Sequence, residues 1–257
     1  MAGGLAYTGN VPEAPLYTTY DAFAWCYTRG WGDEYHKQAQ AVLEGHVFPR
    51  LAPGARVLDL CCGSGNLAAV LRASGFQVTG IDGSARMLEF ARGRAPGAEF
   101  LLADARTFRL DAVFDAVLST FDSLNHMLTL GELEAVFRNV HAALRKGGLF
   151  VFDLNMLESF ETMWRGDMAD VQDNAVAVTR GRYDPDERLG RAEVTMFRLE
   201  DGWQRSDVTV FERCYSEEEV RAALERAGFR DLRALDARDG GMRGDTGLGR
   251  SFFFAVK

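Results

Sequence analysis

The sequence predicts a doubly wound α/β fold: a mostly parallel, Rossmann-like sheet carrying an inserted small antiparallel sheet and an N-terminal helical lid. Three observations predict it. Between residues 51 and 155, short apolar runs alternate with helical patterns of about 10–15 residues, the signature of parallel βαβ units. Gly63-Ser64-Gly65 falls where the first of these runs hands over to the first helical pattern. From about residue 156 to 214 the rhythm changes to one apolar residue in two, as in a half-buried antiparallel sheet.

In order, residues 16–48 read as helical, dense in Tyr and Trp, and end before Pro49. RVLDL (56–60) is a strand, and NLAAVLRASG (66–75) a helix closed by Gly75. QVTGID (77–82) is the second strand, followed by a helix over 84–94 with Ser84 as N-cap. AEFLLAD (98–104) and FDAVLST (114–120) follow as strands. An amphipathic helix over 131–148 with a glycine stop leads into the strand LFVFDLN (149–155). AVAVTRGRYD, RAEVTMFRLE and SDVTVFERCY form the inserted sheet, with turn residues at Asp184-Pro185 and Asp201-Gly202. The helix SEEEVRAALERAG (216–228) opens on a capping box of Ser216 and Glu219. FRDLRAL and RSFFFAVK close the sheet, and the Gly-rich 239–250 between them reads as a mobile loop. The expected organisation is a lid over 1–50, a core over 51–155 and 215–257, and a β cap over 156–214.

Composition narrows the function. Lys and Arg number 29 against 37 Asp and Glu, a net charge of -8, so autonomous binding to a nucleic-acid backbone is not expected and a small-molecule substrate is. The N-terminus lacks the basic start and apolar run of a signal peptide, and no stretch is long and apolar enough to span a bilayer. Cys26, Cys61, Cys62 and Cys214 form no CxxC pair, and among four histidines no two stand at i, i+4. Reduced thiols, a cytoplasmic setting and no metal are the expectations.

The chemistry is carried by VLDLCCGSGNLA (57–68) and two later acids. Gly63 and Gly65 let backbone approach a ligand, and the helix N-terminus behind them favours polar or anionic groups. Asp82 ends the second strand 17 residues beyond Gly65, where a carboxylate accepts both hydroxyls of a ribose. Asp104 ends the third strand and Asp59 lies at the end of the first, so all three acids are expected on one crevice. Three carboxylates suit a nucleoside that bears a cation and repel a pyrophosphate.

LDLCCGSG, GIDGSARML and LLADAR together resemble the first three motifs of the class I S-adenosylmethionine-dependent methyltransferases, over about 55–155. The resemblance implies S-adenosylmethionine as cofactor. By it, Asp59 and the turn Cys61–Gly65 leading into Asn66 would hold the methionine part, with Gly63 and Gly65 at the closest approach. Asp82, followed by Gly83, would hold the ribose. Asp104 and the Ala105 amide would meet the adenine edge, and Met87 would pack on its face. Cys61 stands where the family's motif has its first glycine; a small residue fits if its backbone angles stay ordinary. Cys62 reads as a buried small residue.

The segment 114–127 resembles the family's fourth motif, with Thr120 beside the cofactor chain and Asp122 and His126 as the nearest proton acceptors. Asp153 and Asn155, ending the fifth strand, would also reach substrate. The aromatic N-terminal segment (Tyr17, Tyr20, Phe23, Trp25, Tyr27, Trp31 and Tyr35) is either a lid, with Tyr20 or Tyr27 bonding the cofactor carboxylate, or a stripe packed on the core. Methyl transfer from a sulfonium is an in-line displacement that asks for alignment and exclusion of water, and an acceptor with a free lone pair on N or O. Two alternatives remain: an NAD(P)-dependent oxidoreductase using Gly63-x-Gly65-x-x-Ala68 with Asp82, and a non-catalytic cofactor-binding protein of the same fold.

Overall fold

The computed structural model describes residues 18–28 and 31–257, and the side chains of residues 18, 19 and 31–33 lie outside that description. Tyr17 and the side chain of Trp31 therefore fall outside it. Among the described residues, the strands form two sheets. The larger has seven strands in the order β10-β11-β5-β4-β1-β2-β3: β1 (Arg56–Leu60), β2 (Gln77–Asp82), β3 (Glu99–Leu102), β4 (Phe114–Ser119), β5 (Leu144–Asn155), β10 (Arg230–Asp236) and β11 (Arg250–Val256). The run from β5 to β3 is parallel, and β11 pairs antiparallel with β5 and β10. From β1 the chain steps outward to β2 and β3, then returns to β4 on the other side of β1. That reversal is the point where an open α/β sheet binds its ligands, beyond the carboxyl ends of the strands.

Helices cover both faces because the central strands are apolar on both. In β5, Phe150, Phe152 and Leu154 pack with α5 (Leu130–Ala143) and α7 (Glu217–Arg226), through Phe137, Val140 and Leu224. Leu149 and Val151 face the opposite layer, with α2 (Trp31–Val42) and α3 (Asn66–Ala73) contributing Tyr35, Ala39 and Leu71. Each such fully buried Phe or Leu is worth about 1.5–3 kcal/mol. The capping box at Ser216 and Glu219 is formed, as is the Ser84 cap of α4 (Ala85–Arg94). No described helix is long and apolar enough to cross a membrane.

The smaller sheet is antiparallel, in the order β6 (Gly166–Gln172), β7 (Ala175–Asp184), β8 (Leu189–Leu199), β9 (Trp203–Arg213). One face carries Ala177, Val194, Met196 and Val208, and α1 (Thr18–Tyr27) packs Phe23 onto it.

Three expectations need correction. The helix over 131–148 ends at Ala143, and 144–148 already belong to β5; Leu144 is extended and pairs with Phe114, and Gly147 (φ 76) turns the chain to bond Lys257. The inserted sheet has four strands, not three, and is entered through α6 (Leu157–Met163). β6 escapes notice because it is an edge strand, exposed along nearly its whole length, so no burial alternation marks it. Segment 239–250 is packed: Met242 is buried, Thr246 donates to Gln38, and a Cβ on Gly249 would stand 2.2 Å from the Ser159 nitrogen.

Candidate active site

The turn after β1 is built from left-handed residues. Cys61 has φ 58, Gly63 φ 52 and Gly65 φ 82. Gly65 is obligatory, since a Cβ there would meet Ala91 Cα at 2.9 Å where α3 passes α4. The angles of Cys61 are thus not the ordinary ones expected of a residue in the glycine position; a left-handed non-glycine costs roughly 1–2 kcal/mol.

The three acids group around Cys61, whose thiol is pushed well up by burial and then by Asp82, Asp104 and Asp59. They do not all open into the cleft. Asp82 does, and each of its oxygens accepts one amide, Oδ2 from Gly63 and Oδ1 from Ser84, both at 2.8 Å. Burial raises its pKa to about 6. A carboxylate has about four acceptor positions, so two stay free. Asp59 lies behind the turn, 2% exposed, with Oδ2 lacking any partner; burial and then Asp82 raise its pKa to about 8. Asp104 is enclosed instead. Arg106 grips it through its amide at 2.8 Å and through Nη2 at 2.7 Å, and reaches Glu132 with Nη1 at 2.6 Å. The side chain of Asp104 is spent on Arg106, while its neighbour Ala105 lines the cleft.

The cleft floor is Cys61, Gly63, Asp82 and Gly83, and its apolar wall includes Met87, Ala105 and Met127. Tyr20 and Tyr27 of α1 border it, with Tyr27 Cε1 3.8 Å from where a Gly63 Cβ would stand. α1 is fastened there by Asp21, which accepts from Ser84 Oγ at 2.5 Å and the Arg86 amide at 3.3 Å. Asn66 and Thr120 are buried outside the lining; Ser64 Oγ stands 3.5 Å from Asn66 Oδ1, and Thr120 Oγ1 3.5 Å from His36 Nε2.

A second, roomier cavity adjoins the cleft, about 430 Å³ against about 90 Å³, and Tyr20, Tyr27, Phe121 and His126 wall both. His126 Nδ1 lies 2.9 Å from the Phe211 carbonyl, which only accepts, so Nδ1 carries the hydrogen. Burial lowers the His126 pKa, leaving a neutral ring whose Nε2 lone pair receives the Tyr20 hydroxyl at 2.7 Å.

Asp122 lines only the larger cavity and is tied to Arg250, Oδ1 to Nη2 at 2.7 Å. Asp153 does not reach substrate. It is fully buried, takes Arg250 Nη1, the Tyr35 hydroxyl at 2.9 Å, and the amides of Phe121 and Asp122 at 2.7 and 3.2 Å. Asn155 does line the cavity, donating to Glu212 Oε2 at 3.2 Å. Arg250 and Glu212 were missed as site residues. Arg250 was hidden at the end of a glycine-rich stretch. Glu212 had a signal: it continues the inward register of Val208 and Val210, an acid where the alternation calls for an apolar residue.

A family model described as a methyltransferase domain matches residues 57–148. A putative methyltransferase of Bacillus subtilis (strain 168), YqeM, is 30% identical over 180 residues, 68% of this chain and 73% of the relative. The chain belongs to the class I S-adenosylmethionine-dependent methyltransferases. Also similar, at 30% identity over 238 residues, is the dTDP-4-amino-2,3,4,6-tetradeoxy-D-glucose N,N-dimethyltransferase of Saccharopolyspora spinosa, covering 88% of this chain and 89% of that one. Among solved structures, Streptomyces venezuelae DesVI superposes with a TM-score of 0.71 at 28% identity, covering 96% and 99% of the two chains. A methyltransferase from Clostridium acetobutylicum, at 23% identity and a TM-score of 0.76 over 92% and 98%, shares the fold.

The residues of this methyltransferase fit S-adenosylmethionine. The free acceptor positions of Asp82 suit hydroxyl donors, and the apolar wall at Met87 suits a purine.

Proposed function

We propose that this methyltransferase methylates the nitrogen of a small-molecule amine of amino-sugar type. The carrying observation is the roomy cavity that shares Tyr20 and a neutral His126 with the cofactor cleft. The dTDP-amino-sugar N,N-dimethyltransferases among the relatives support the acceptor class. S-adenosylmethionine supplies an electrophilic methyl group on a sulfonium. Asp82 would accept the ribose hydroxyls, and the turn Cys61–Gly65, with Asp59 bracing it from behind, would hold the methionine end. Met87 and the Ala105 segment would enclose the adenine, with Asp104 and Arg106 bracing that segment. Asn66 and Thr120 would act by packing behind the cofactor. Tyr20 and Tyr27 would close over it and exclude water, and the Tyr20 oxygen, held by His126, would orient the amine by accepting an N–H, leaving the nitrogen lone pair free. The test is turnover with S-adenosylmethionine and either dTDP-3-amino-3,6-dideoxyglucose or dTDP-6-deoxyglucose, followed by mass spectrometry. Methyl groups on nitrogen, with the hydroxyl sugar unchanged, are expected; methylation of the hydroxyl sugar alone, or of neither, contradicts the reading.

A further inference from the structure

We propose that Glu212 and Asp122 form the seat for the acceptor's ammonium group and so select an amine arriving as a cation over the corresponding alcohol. This rests on the N-methylation reading and names the residues that make the choice. The acceptor has to occupy the cavity that shares its wall with the cofactor cleft. Glu212 lines that cavity, 5% exposed, at the inner end of β9. The groups facing it are Asn155 from β5, Asp122 and His126 from the segment after β4, Tyr20 from α1 and Arg250 from β11.

Their charges do not balance. Arg250 alone faces both Asp122 and Asp153, and Glu212 adds a third carboxyl. His126 offers no compensation: Nε2 stands 3.8 Å from Glu212 Oε1 and is already engaged by Tyr20. Burial, then the charge of Asp122 and a hydrogen bond to it, push the Glu212 pKa well up, so Glu212 favours its protonated form when no cation is present. An ammonium group presents three donors and a full charge, and does from the cavity side what that proton does. A hydroxyl brings no charge and leaves the proton in place.

On binding of R–NH3+ the Glu212 proton leaves to solvent, and the ammonium sits on the Glu212 carboxylate. Glu212 then takes one N–H proton, which frees the nitrogen lone pair toward the cleft. As nitrogen attacks, the N–CH3 bond forms, the CH3–S bond breaks and its electron pair stays on sulfur. The methylated ammonium leaves, Glu212 keeps its proton, and one proton has been released per turnover.

The experiment is titration calorimetry at pH 7.5 on the S-adenosylhomocysteine complex, in two buffers of different ionisation enthalpy. The probes are dTDP-3-amino-3,6-dideoxyglucose and dTDP-6-deoxyglucose. The wild type is expected to prefer the amine about tenfold or more and to release about one proton on binding it. Glu212→Gln is expected to bring the two probes within about threefold, release no proton, and leave S-adenosylhomocysteine affinity within about twofold. Should that variant fail to fold, the wild-type proton count decides alone. Amine binding without proton release, or an E212Q protein that keeps the full preference, overturns the seat while amine turnover leaves the N-methylation reading standing. A wild type that prefers the hydroxyl probe, or binds neither, brings down both.

Discussion

Cys61 holds a backbone conformation that glycine adopts freely and other residues do not, at the point where the chain bends toward the cofactor cleft. Its thiol stands beside three carboxyls, which with burial outweigh the hydrogen bond from Ser119 and hold it protonated, against a nucleophilic role. Cys61→Gly is therefore expected to stabilise the protein, by about 1 kcal/mol after glycine's greater unfolded-state entropy is subtracted. Urea denaturation should show the higher midpoint, and S-adenosylhomocysteine affinity should change less than about threefold; a lower midpoint would mean the Cys61 side chain packs well enough to outweigh its strain. The sequence showed that a small residue was needed here, but not the sign of φ, which is imposed by the passage of the turn under Asp82 and against α4. Asp104 teaches the same lesson. Its place at a strand end was legible, whereas its capture by Arg106, two residues on, depends on rotamers that spacing does not encode.

At the level of elements, the segment after β4 illustrates how distant strands fix a site. Phe121 and Asp122 are consecutive non-glycine residues with φ 65 and 50, a strain of about 1–3 kcal/mol each. Three interactions hold them. Asp153 at the end of β5 takes both amides, Arg250 at the start of β11 binds Asp122 and Asp153, and the Phe121 ring stacks on Tyr35 at 4.3 Å. Arg250→Met leaves two buried carboxylates without their cation, which is expected to cost about 3–5 kcal/mol. Chemical denaturation would read that loss. A cost below about 1 kcal/mol would show that the segment keeps its shape without Arg250. Periodicity found the strands that carry these residues because both faces of the parallel sheet are buried. It could not find β6, which lies exposed at an edge, nor the pairing of Arg250 with residues about 100–130 positions earlier, a product of β11 docking on β5.

Across the whole molecule, the buried acids make stability depend on pH in a definite direction. Asp59 is raised to about 8, Asp82 to about 6 and Glu212 well above its usual range, all foremost by burial. The folded protein thus binds more protons than the unfolded chain in this range, so this contribution is full below the unfolded carboxyl values and is lost as pH rises through about 6 to 8. His126 acts oppositely but only below its unfolded value near 6.5, since burial lowers it. The melting temperature of the cofactor-free protein is accordingly expected to fall between pH 6.5 and 8.5, and to fall less with saturating S-adenosylmethionine, whose positive charge offsets the carboxylates. A rising or flat profile would mean these acids stay ionised throughout.

On the proposed reading, one cleft beneath α1 would take the cofactor on Asp82, with its transferable methyl group toward the cavity of Tyr20, His126 and Glu212. A crystal structure of the S-adenosylhomocysteine complex measures this directly. Both ribose hydroxyls are expected on the Asp82 carboxylate, the methionine end along the turn Cys61–Gly65, and the sulfur turned toward the Tyr20 hydroxyl. A ligand whose ribose is bound elsewhere, or whose sulfur faces away from that cavity, contradicts that reading.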